Sequence, residues 1–212
     1  MKIVDLSHRI TSNMQIYPGD PEVNIEAWDT HEKDGCQVER LCLGSHSGTH
    51  IDAPWHFSSQ GAAIDEIPLD RFIGMGTIIR VKDKKAGESI NREDIDPFTS
   101  MIQPGGFLIF NTGWDKYFGT EEYLNHPFLS EEAVKAILGM DISLIGIDTL
   151  NIDPTKESIF SGHETLMSRD ILIVENLCNL DHVPDAKGTF LFLPLKIDGG
   201  DGSPIRAIYL TE

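Results

Sequence analysis

The sequence predicts a strand-rich α/β domain built on a mixed sheet. Short runs rich in β-branched and aromatic residues recur along the chain, and breaks rich in Gly and Pro separate them. Two runs, FLIF at 107–110 and LIGI at 144–147, are apolar without alternation, which is typical of strands covered on both faces. Because no break is long enough to be a domain linker, residues 1–212 are expected to form a single domain.

The elements follow in chain order. Nine strands are predicted, at residues 3–6, 23–28, 37–43, 76–81, 107–112, 142–148, 170–177, 190–197 and 205–210. One helix is predicted to begin after Ser130, a good N-cap, and to end at Gly139, with acidic residues in its first turn. Shorter helical turns are predicted near 91–95 and 164–170. The segment GGDGSP, at 199–204, predicts a tight turn before the last strand.

Composition excludes some classes of partner. The chain has 17 basic and 34 acidic residues, a formal net charge of −17, which would repel a phosphate backbone, so nucleic acid is not an expected partner. The opening MKIVDLSHRI lacks the apolar run of a signal peptide, and no run of about 18 apolar residues indicates a membrane helix. A cytoplasmic protein is therefore expected. The three cysteines form no C-x-x-C pair and predict no thiolate metal site.

Residues 44–57, GSHSGTHIDAPWHF, concentrate three of the eight histidines beside Asp52. A helix is excluded as their common frame, because Asp52 would lie about 200° around the axis from His50 at ~100° per residue. In an extended strand His46 and His50 would stand ~13 Å apart at ~3.3 Å per residue, too far to share one ion. The chain is therefore expected to bend between them, at Gly48.

These residue types are typical of a catalytic metal site. His46, His50 and Asp52 form a three-ligand set that leaves positions open for water and substrate. His56 is placed to move protons between water and a leaving group. Glu175 lies in the apolar run ILIVENL, where an ionised carboxylate needs a cation, either a metal or a nearby Arg or Lys. Together they predict metal-dependent hydrolysis.

Two other classes of function remain open at this stage. His50, Asp52 and the distant His163 also match the H-x-D…H pattern of a non-haem iron oxygenase, although that interpretation gives no role to His46, His56 or Glu175. A non-catalytic metal-binding module is the other alternative. A serine hydrolase is excluded, since histidine occupies the nucleophile position of GSHSG.

The segment 46–56, HSGTHIDAPWH, resembles the H-x-G-T-H-x-D-x-P-x-H signature of the cyclase family of metal-dependent hydrolases, which includes bacterial kynurenine formamidases and isatin hydrolases. All seven fixed positions are present. The resemblance continues at YPGD (17–20), IPLDRFIG (67–74), GIDT (146–149) and GGDGSPIRAI (199–208). It therefore covers nearly the whole chain.

The resemblance implies a set of site residues, namely the metal ligands His46, His50, Asp52, His163 and Glu175 and the acid/base His56. In that set Asp52 can bridge two ions. The metal is expected to be zinc or manganese, with one or two ions per subunit. The resemblance also implies a swivelling β/β/α architecture around a barrel-like sheet, and assembly into a homodimer or homotetramer.

The implied reaction is hydrolysis of N-formyl-L-kynurenine to L-kynurenine and formate in tryptophan catabolism. Isatin hydrolase activity, or another hydrolase or dehydratase activity of the family, is the alternative. The expected substrate is a small aromatic amide. Trp55, between Pro54 and His56, is predicted to line the substrate pocket, with plain core packing as the other interpretation.

Overall fold

The computed structural model describes residues 2–156 and 160–211, and this part of the chain contains thirteen β-strands and four α-helices. The strands are β1 (Lys2–Asp5), β2 (Asn24–Asp29), β3 (Val38–Cys42), β4 (His50–Asp52), β5 (Ile73–Arg80), β6 (Ser89–Ile90), β7 (Phe107–Asn111), β8 (Phe128–Leu129), β9 (Leu144–Ile147), β10 (Leu172–Glu175), β11 (Lys187–Leu191), β12 (Gly202–Pro204) and β13 (Ile208–Thr211). The α-helices are α1 (His31–Asp34), α2 (Arg92–Ile95), α3 (Glu131–Leu138) and α4 (Ser161–Met167). Short 3-10 helices lie at Pro54–His56, Leu69–Phe72, Asp96–Met101, Trp114–Tyr117, Glu121–Asn125 and Leu180–His182.

Nine of the described strands form one mixed sheet, in the order β1-β13-β11-β5-β7-β9-β10-β4-β12. Its centre is parallel, because β5, β7, β9 and β10 run in the same direction. The flanking strands are antiparallel, with β11, β13 and β1 on one side and β4 and β12 on the other. The predicted strand-rich α/β fold on a mixed sheet is therefore confirmed.

The central strands are covered on both faces, as their unbroken apolar runs predict. Every residue of β7 and β9 is buried. On one face, Ile137 of α3 and Leu166 of α4 belong to the same apolar cluster as Leu108 of β7. On the other face, Ile109 belongs to a second cluster, which includes Phe190 of β11. The sheet thus separates two apolar cores.

The predicted helix between Ser130 and Gly139 is confirmed as α3. The Ser130 side chain accepts a hydrogen bond from the backbone N–H of Ala133 at 3.2 Å, as an N-cap should. Helix α2 begins with a capping box between Asn91 and Asp94. Helix α4 starts three residues before its predicted turn and ends at Met167. Within residues 2–156 and 160–211, no helix is both long and apolar enough to cross a bilayer.

Two predictions near the C-terminus, one of a strand and one of a turn, differ from the structure. The run predicted at 190–197 leaves the sheet after Leu191, because Pro194 has no N–H to donate to a ladder and forms an isolated bridge with Ile205 instead. The segment 199–204, predicted as a turn, turns at Gly199 and then forms β12, which pairs with β4. Strand β4 was not predicted, because a strand of three residues is too short to show an alternating pattern.

Candidate metal centre

Strands β4 and β10 place three of the predicted ligands on one face of the sheet. His50 and Glu175 are direct partners in this antiparallel pair, and Asp52 lies two residues further along β4. Paired residues, and residues two apart, project from the same side of a sheet. Accordingly His50 Nε2 lies 3.3 Å from Asp52 Oδ1 and 3.6 Å from Glu175 Oε2.

The bend expected at Gly48 is present and returns His46 to this group. Gly48 has a φ of +66°, a left-handed conformation that favours glycine. The chain therefore folds back before β4, and His46 Nδ1 lies 2.7 Å from Asp52 Oδ1. A Cβ at position 48 would also lie 3.1 Å from Met14 Cε, so the position is tight as well as left-handed.

Helix α4 supplies His163 from the opposite side of the cluster. Its Nε2 lies 3.6 Å from Asp52 Oδ2 and 3.3 Å from Glu175 Oε1. The Asp153 carboxylate fixes the start of this helix, because it accepts hydrogen bonds from the backbone N–H groups of Gly162 and His163 at 2.9 and 3.0 Å. The same carboxylate lies 2.7 Å from His163 Nδ1, which orients the ring.

The five side chains form two ligand sets that share one carboxylate. The first set is His46, His50 and Asp52, and the second is Asp52, His163 and Glu175; within each set the donor atoms lie within 4.8 Å of one another. Asp52 directs Oδ1 toward the first set and Oδ2 toward the second. Imidazole nitrogen and carboxylate oxygen suit a divalent ion of the zinc or manganese kind. The donor chemistry therefore fits a divalent metal.

The electrostatics of the cluster point the same way. Burial lowers the pKa of His46 and His50, but the Asp52 carboxylate outweighs it, with help from Asp201 at His46 and from Glu175 at His50. The pKa rises to about 9 for His46 and about 10 for His50. Burial raises the pKa of Asp52, yet these imidazoles hold it well below its usual range. The carboxylates thus require positive charge, which protons supply in the metal-free chain and a cation would supply on binding.

His56, which the sequence predicts as the acid/base, lies next to the predicted ligands. It ends the 3-10 helix Pro54–His56, and its ring lies 4.0 Å from the ring of His46, centroid to centroid. Its Nδ1 lies 3.1 Å from Asp201 Oδ2. Hydrogen bonds from His46 and His56 hold the pKa of Asp201 below its ordinary range, so this carboxylate stays ionised.

A cavity of about 170 Å³ opens onto the cluster. Aromatic rings form one wall: the ring of Phe57 lies 4.8 Å from that of His163 and 5.2 Å from that of Phe160, and Tyr17 stands beside Phe160 at 6.1 Å. The full lining is Gln15, Ile16, Tyr17, Asp20, His46, His50, Asp52, His56, Phe57, Leu150, Asn151, Phe160, His163, Glu175 and Asn176. Such a wall suits a small aromatic molecule.

The structure does not place Trp55 in this cavity, which corrects the sequence prediction. Its side chain is 47% exposed, and it is not among the lining residues. The reason is local: successive residues of a 3-10 helix are ~120° apart, so with Pro54 buried and His56 facing the cavity, Trp55 points outward. The aromatic wall comes instead from Tyr17, Phe57 and Phe160.

Two carboxylates of the site, Asp153 and Asp201, were not predicted. Asp201 lies in the GGDGSP segment, which reads as a turn, and its partner His46 is 155 residues away in sequence. Asp153 precedes a proline in a loop and lies ten residues before His163. The available signal for Asp201 was its position between two glycines next to a predicted strand. The sequence pattern alone does not connect this residue with the histidines.

Fold and site together define a metal-dependent α/β enzyme, in which paired strands and one helix bring imidazoles and carboxylates to one cavity. Residues 4–154 match the family model described as "Putative cyclase". The chain belongs to the cyclase family. This match confirms the family resemblance that the motif at 46–56 indicates.

Known proteins similar to this chain agree with that membership. The kynurenine formamidase of Bacillus thuringiensis (strain Al Hakam) is 30% identical over 212 residues, covering 97% of this chain and 95% of that protein. Isatin hydrolase A from Labrenzia aggregata, solved with benzyl benzoate, superposes with a TM-score of 0.90 at 25% identity, covering 98% and 93% of the two chains. A predicted metal-dependent hydrolase from Bacillus stearothermophilus gives a TM-score of 0.81 at 27% identity, covering 98% and 97%.

Proposed function

We propose that this protein is a metal-dependent hydrolase of aryl amides, and that its reaction is the conversion of N-formyl-L-kynurenine and water to L-kynurenine and formate. The observation that carries the proposal is the pair of ligand sets sharing Asp52, beside His56, in a cavity with an aromatic wall. The similarity to a kynurenine formamidase over nearly the whole of both chains supports a formamide as the bond cleaved.

The ligand sets define the proposed cofactor. His46, His50 and Asp52 would hold one zinc or manganese ion, and Asp52, His163 and Glu175 would hold a second where two are bound, which gives one or two ions per subunit. When bound, the metal supplies Lewis-acid polarisation of the amide carbonyl and makes water a stronger nucleophile. The burial of Glu175 in an apolar strand is explained by this role, since the carboxylate then has its cation.

The remaining chemistry belongs to side chains of the cavity. His56 lines the cavity with Nδ1 held by Asp201, so Nε2 takes a proton from the attacking water and passes it to the aniline nitrogen as the carbon–nitrogen bond breaks. Phe57 and Phe160 hold the aryl ring by aromatic contact and exclude water around it.

The oxygenase alternative fits this site less well. A facial triad of His50, Asp52 and His163 leaves two further donors without a role. Yet His46 Nδ1 lies 2.7 Å from Asp52 and Glu175 Oε1 lies 3.3 Å from His163, inside the same cluster. Five converging donors favour a shared-carboxylate hydrolase site.

One observation favours a second substrate, a ring-closed aryl lactam such as isatin. The described residues that line the cavity include Asp20 but neither Lys nor Arg, so outside the metal centre no basic side chain of these types is available to pair with the carboxylate of formylkynurenine. A neutral lactam leaves no charge unpaired. The structural likeness to isatin hydrolase A supports this candidate.

The test offers metal-loaded enzyme both substrates and measures formate and isatinate release. Turnover of either supports the proposal, and the ratio of kcat/KM values selects the substrate. Loss of bound metal and activity together in His50→Ala, with both retained in the matched variant His31→Ala on the exposed helix α1, is the expected result. Full activity of metal-free His50→Ala, or oxygen consumption that depends on Fe(II), would overturn the hydrolase mechanism.

We also propose that residues 1–212 act as one domain in a cytoplasmic homodimer or homotetramer. The hairpin of β2 and β3 exposes 66% of Trp28 and 58% of Leu41, apolar surface that a second copy would cover. Light scattering should give a mass of two or four chains, which Trp28→Ser with Leu41→Ser reduces. A monomeric wild-type protein would contradict the assembly without touching the chemistry.

A further inference from the structure

We infer that Asp201 is a positioning residue shared by two histidines: a single carboxylate oxygen holds the metal ligand His46 and the acid/base His56 by opposite ring nitrogens. The inference rests on the proposed function for the roles of these two rings. It adds a residue that links metal binding to proton transfer through one side chain.

The geometry is a three-centre contact at one atom. Asp201 Oδ2 lies 2.9 Å from His46 Nε2 and 3.1 Å from His56 Nδ1. The two rings lie side by side, 4.0 Å apart with an interplanar angle of 32°. Because the rings meet the oxygen through different nitrogens, their free nitrogens face different partners.

The backbone around Asp201 is fixed by the strand that carries the ligands. Its carbonyl accepts a hydrogen bond from Ala53 N–H at 2.9 Å, and the following residue, Gly202, is the register partner of Asp52. Gly202 has no room for a side chain, since a Cβ there would lie 2.9 Å from His46 Cε1 and 2.8 Å from the Ile51 carbonyl oxygen. Strand β12 thus brings the carboxylate against the back of the His46 ring and holds it there.

This placement selects the tautomer of each ring. An ionised carboxylate only accepts hydrogen bonds, so His46 Nε2 and His56 Nδ1 carry the hydrogens. In the metal-free chain His46 Nδ1 shares a proton with Asp52 Oδ1 at 2.7 Å, and loss of that proton would leave the Nδ1 lone pair available to a metal. His56 is left with Nε2 free for the substrate, as in other sites where a carboxylate orients an imidazole base.

The other two ligand histidines are held in the same manner, which makes the role of Asp201 part of a pattern. His50 Nδ1 lies 2.8 Å from the Gly48 carbonyl oxygen, and His163 Nδ1 lies 2.7 Å from Asp153 Oδ2. Each ligand ring thus has an acceptor behind it. Of these three acceptors, all within the described residues, only Asp201 also contacts the ring of His56.

The experiment compares Asp201→Asn and Asp201→Ala with Asp198→Asn, an exposed acid of the same loop that gives a matched charge change. Metal affinity is measured by titrating zinc into metal-free protein against a chelator, and kcat and KM are measured at saturating metal. We expect both Asp201 variants to lose about 10–100-fold in metal affinity and about 10²–10⁴-fold in kcat, with KM little changed. Asp198→Asn should match wild type in all three quantities.

The same substitution in a His56→Ala protein separates the effect of Asp201 on metal binding from its effect on proton transfer. In His56→Ala protein, Asp201→Asn should still lower zinc affinity by the same factor but should have almost no further effect on kcat, because the ring it positions for proton transfer is gone. In wild-type zinc protein, nitrogen NMR of the imidazoles should report hydrogen on His56 Nδ1 and His46 Nε2. This spectrum needs no variant, so it decides the matter even if Asp201→Asn does not fold.

Several results would overturn the inference. Unchanged zinc affinity in folded Asp201→Asn would remove the link to His46, and hydrogen on His56 Nε2 would remove the link to His56. Loss of a whole ion in His56→Ala would mean that His46, His56 and Asp201 themselves bind metal. Absence of amide hydrolysis by the wild-type enzyme would instead refute the proposed function, since the affinity and NMR measurements read Asp201 without turnover.

Discussion

His8 should make the folded state sensitive to acid, although it lies outside the metal centre. Its ring stacks on that of Phe118, 3.8 Å apart and nearly parallel, and its Nε2 is buried with no hydrogen-bond partner among residues 2–156 and 160–211. Burial lowers the pKa of His8 from 6.5 to about 4, and the charge of Asp115 only partly opposes this. The folded chain therefore binds fewer protons at His8 than the unfolded chain does between pH 6.5 and pH 4.

The sign follows from that difference. Stability rises with pH wherever the unfolded state binds more protons, so folding loses free energy as the pH falls through this window. Lowering the pKa of His8 from 6.5 to about 4 corresponds to at most ~3 kcal/mol of folding stability, of which ~2.5 kcal/mol is lost by pH ~4.5. His8→Phe keeps an aromatic ring against Phe118 and the backbone hydrogen bond to Thr49 but removes the titration. Its stability relative to wild type should therefore rise by about 2.5 kcal/mol between pH ~7.5 and pH ~4.5.

Urea unfolding of the metal-free proteins across this range measures the difference. Other acid-sensitive groups are common to both proteins and cancel in the comparison. His31→Phe, which replaces an exposed histidine of α1, serves as the control. A difference between His8→Phe and wild type that stays constant within about 0.5 kcal/mol, the usual limit of additivity, or an equal slope in His31→Phe, would refute the argument.

Three further substitutions test the packing around the site and in the core. In Gly162→Ala the new Cβ would lie 2.7 Å from Asp153 Oδ1, so the carboxylate and the His163 ring that it orients must move. Zinc affinity should therefore fall about 10-fold or more. An unaltered zinc titration would count against the positioning of His163 by Asp153. Gly188→Ala would bring a Cβ within 2.3 Å of the Tyr209 ring and should cost about 1–3 kcal/mol in urea unfolding, which an unchanged midpoint would disprove. Ser130→Ala removes the N-cap of α3 and should cost about 1 kcal/mol; equal stability would mean that the hydrogen bond from Ala133 contributes nothing.

The parts of the fold that the sequence predicts are those with a strong local signal. Unbroken apolar runs predict the buried strands β7 and β9. The N-cap, the acidic first turn and the apolar face predict α3. Strands of two or three residues, such as β6 and β12, exist because a neighbour pairs with them, and no periodicity can develop over so short a length. Their presence is a tertiary effect.

The same distinction runs through the site. His46, His50, Asp52 and His56 are predictable because they fall within eleven positions and because geometry forces a bend between the first two. Asp201 was missed because its proximity depends on strand pairing across 155 residues. Trp55 was misplaced because sequence adjacency to His56 suggested a shared direction, whereas one residue along a 3-10 helix rotates the side chain by ~120°.

Strand β4 is the element on which these long-range contacts depend. It lies between β10, which carries Glu175, and β12, which begins beside Asp201, so both carboxylates reach the histidines only if β4 pairs correctly on each side. Side chains alternate along a strand: His50 and Asp52 face the cluster, while Ile51 between them is fully buried in the core on the other side. A slip of one residue would exchange these faces, burying two polar groups in an apolar core and exposing Ile51 to the site. The apolar residue inside the motif therefore fixes the register that brings ligands from β4, β10 and α4 to a common point.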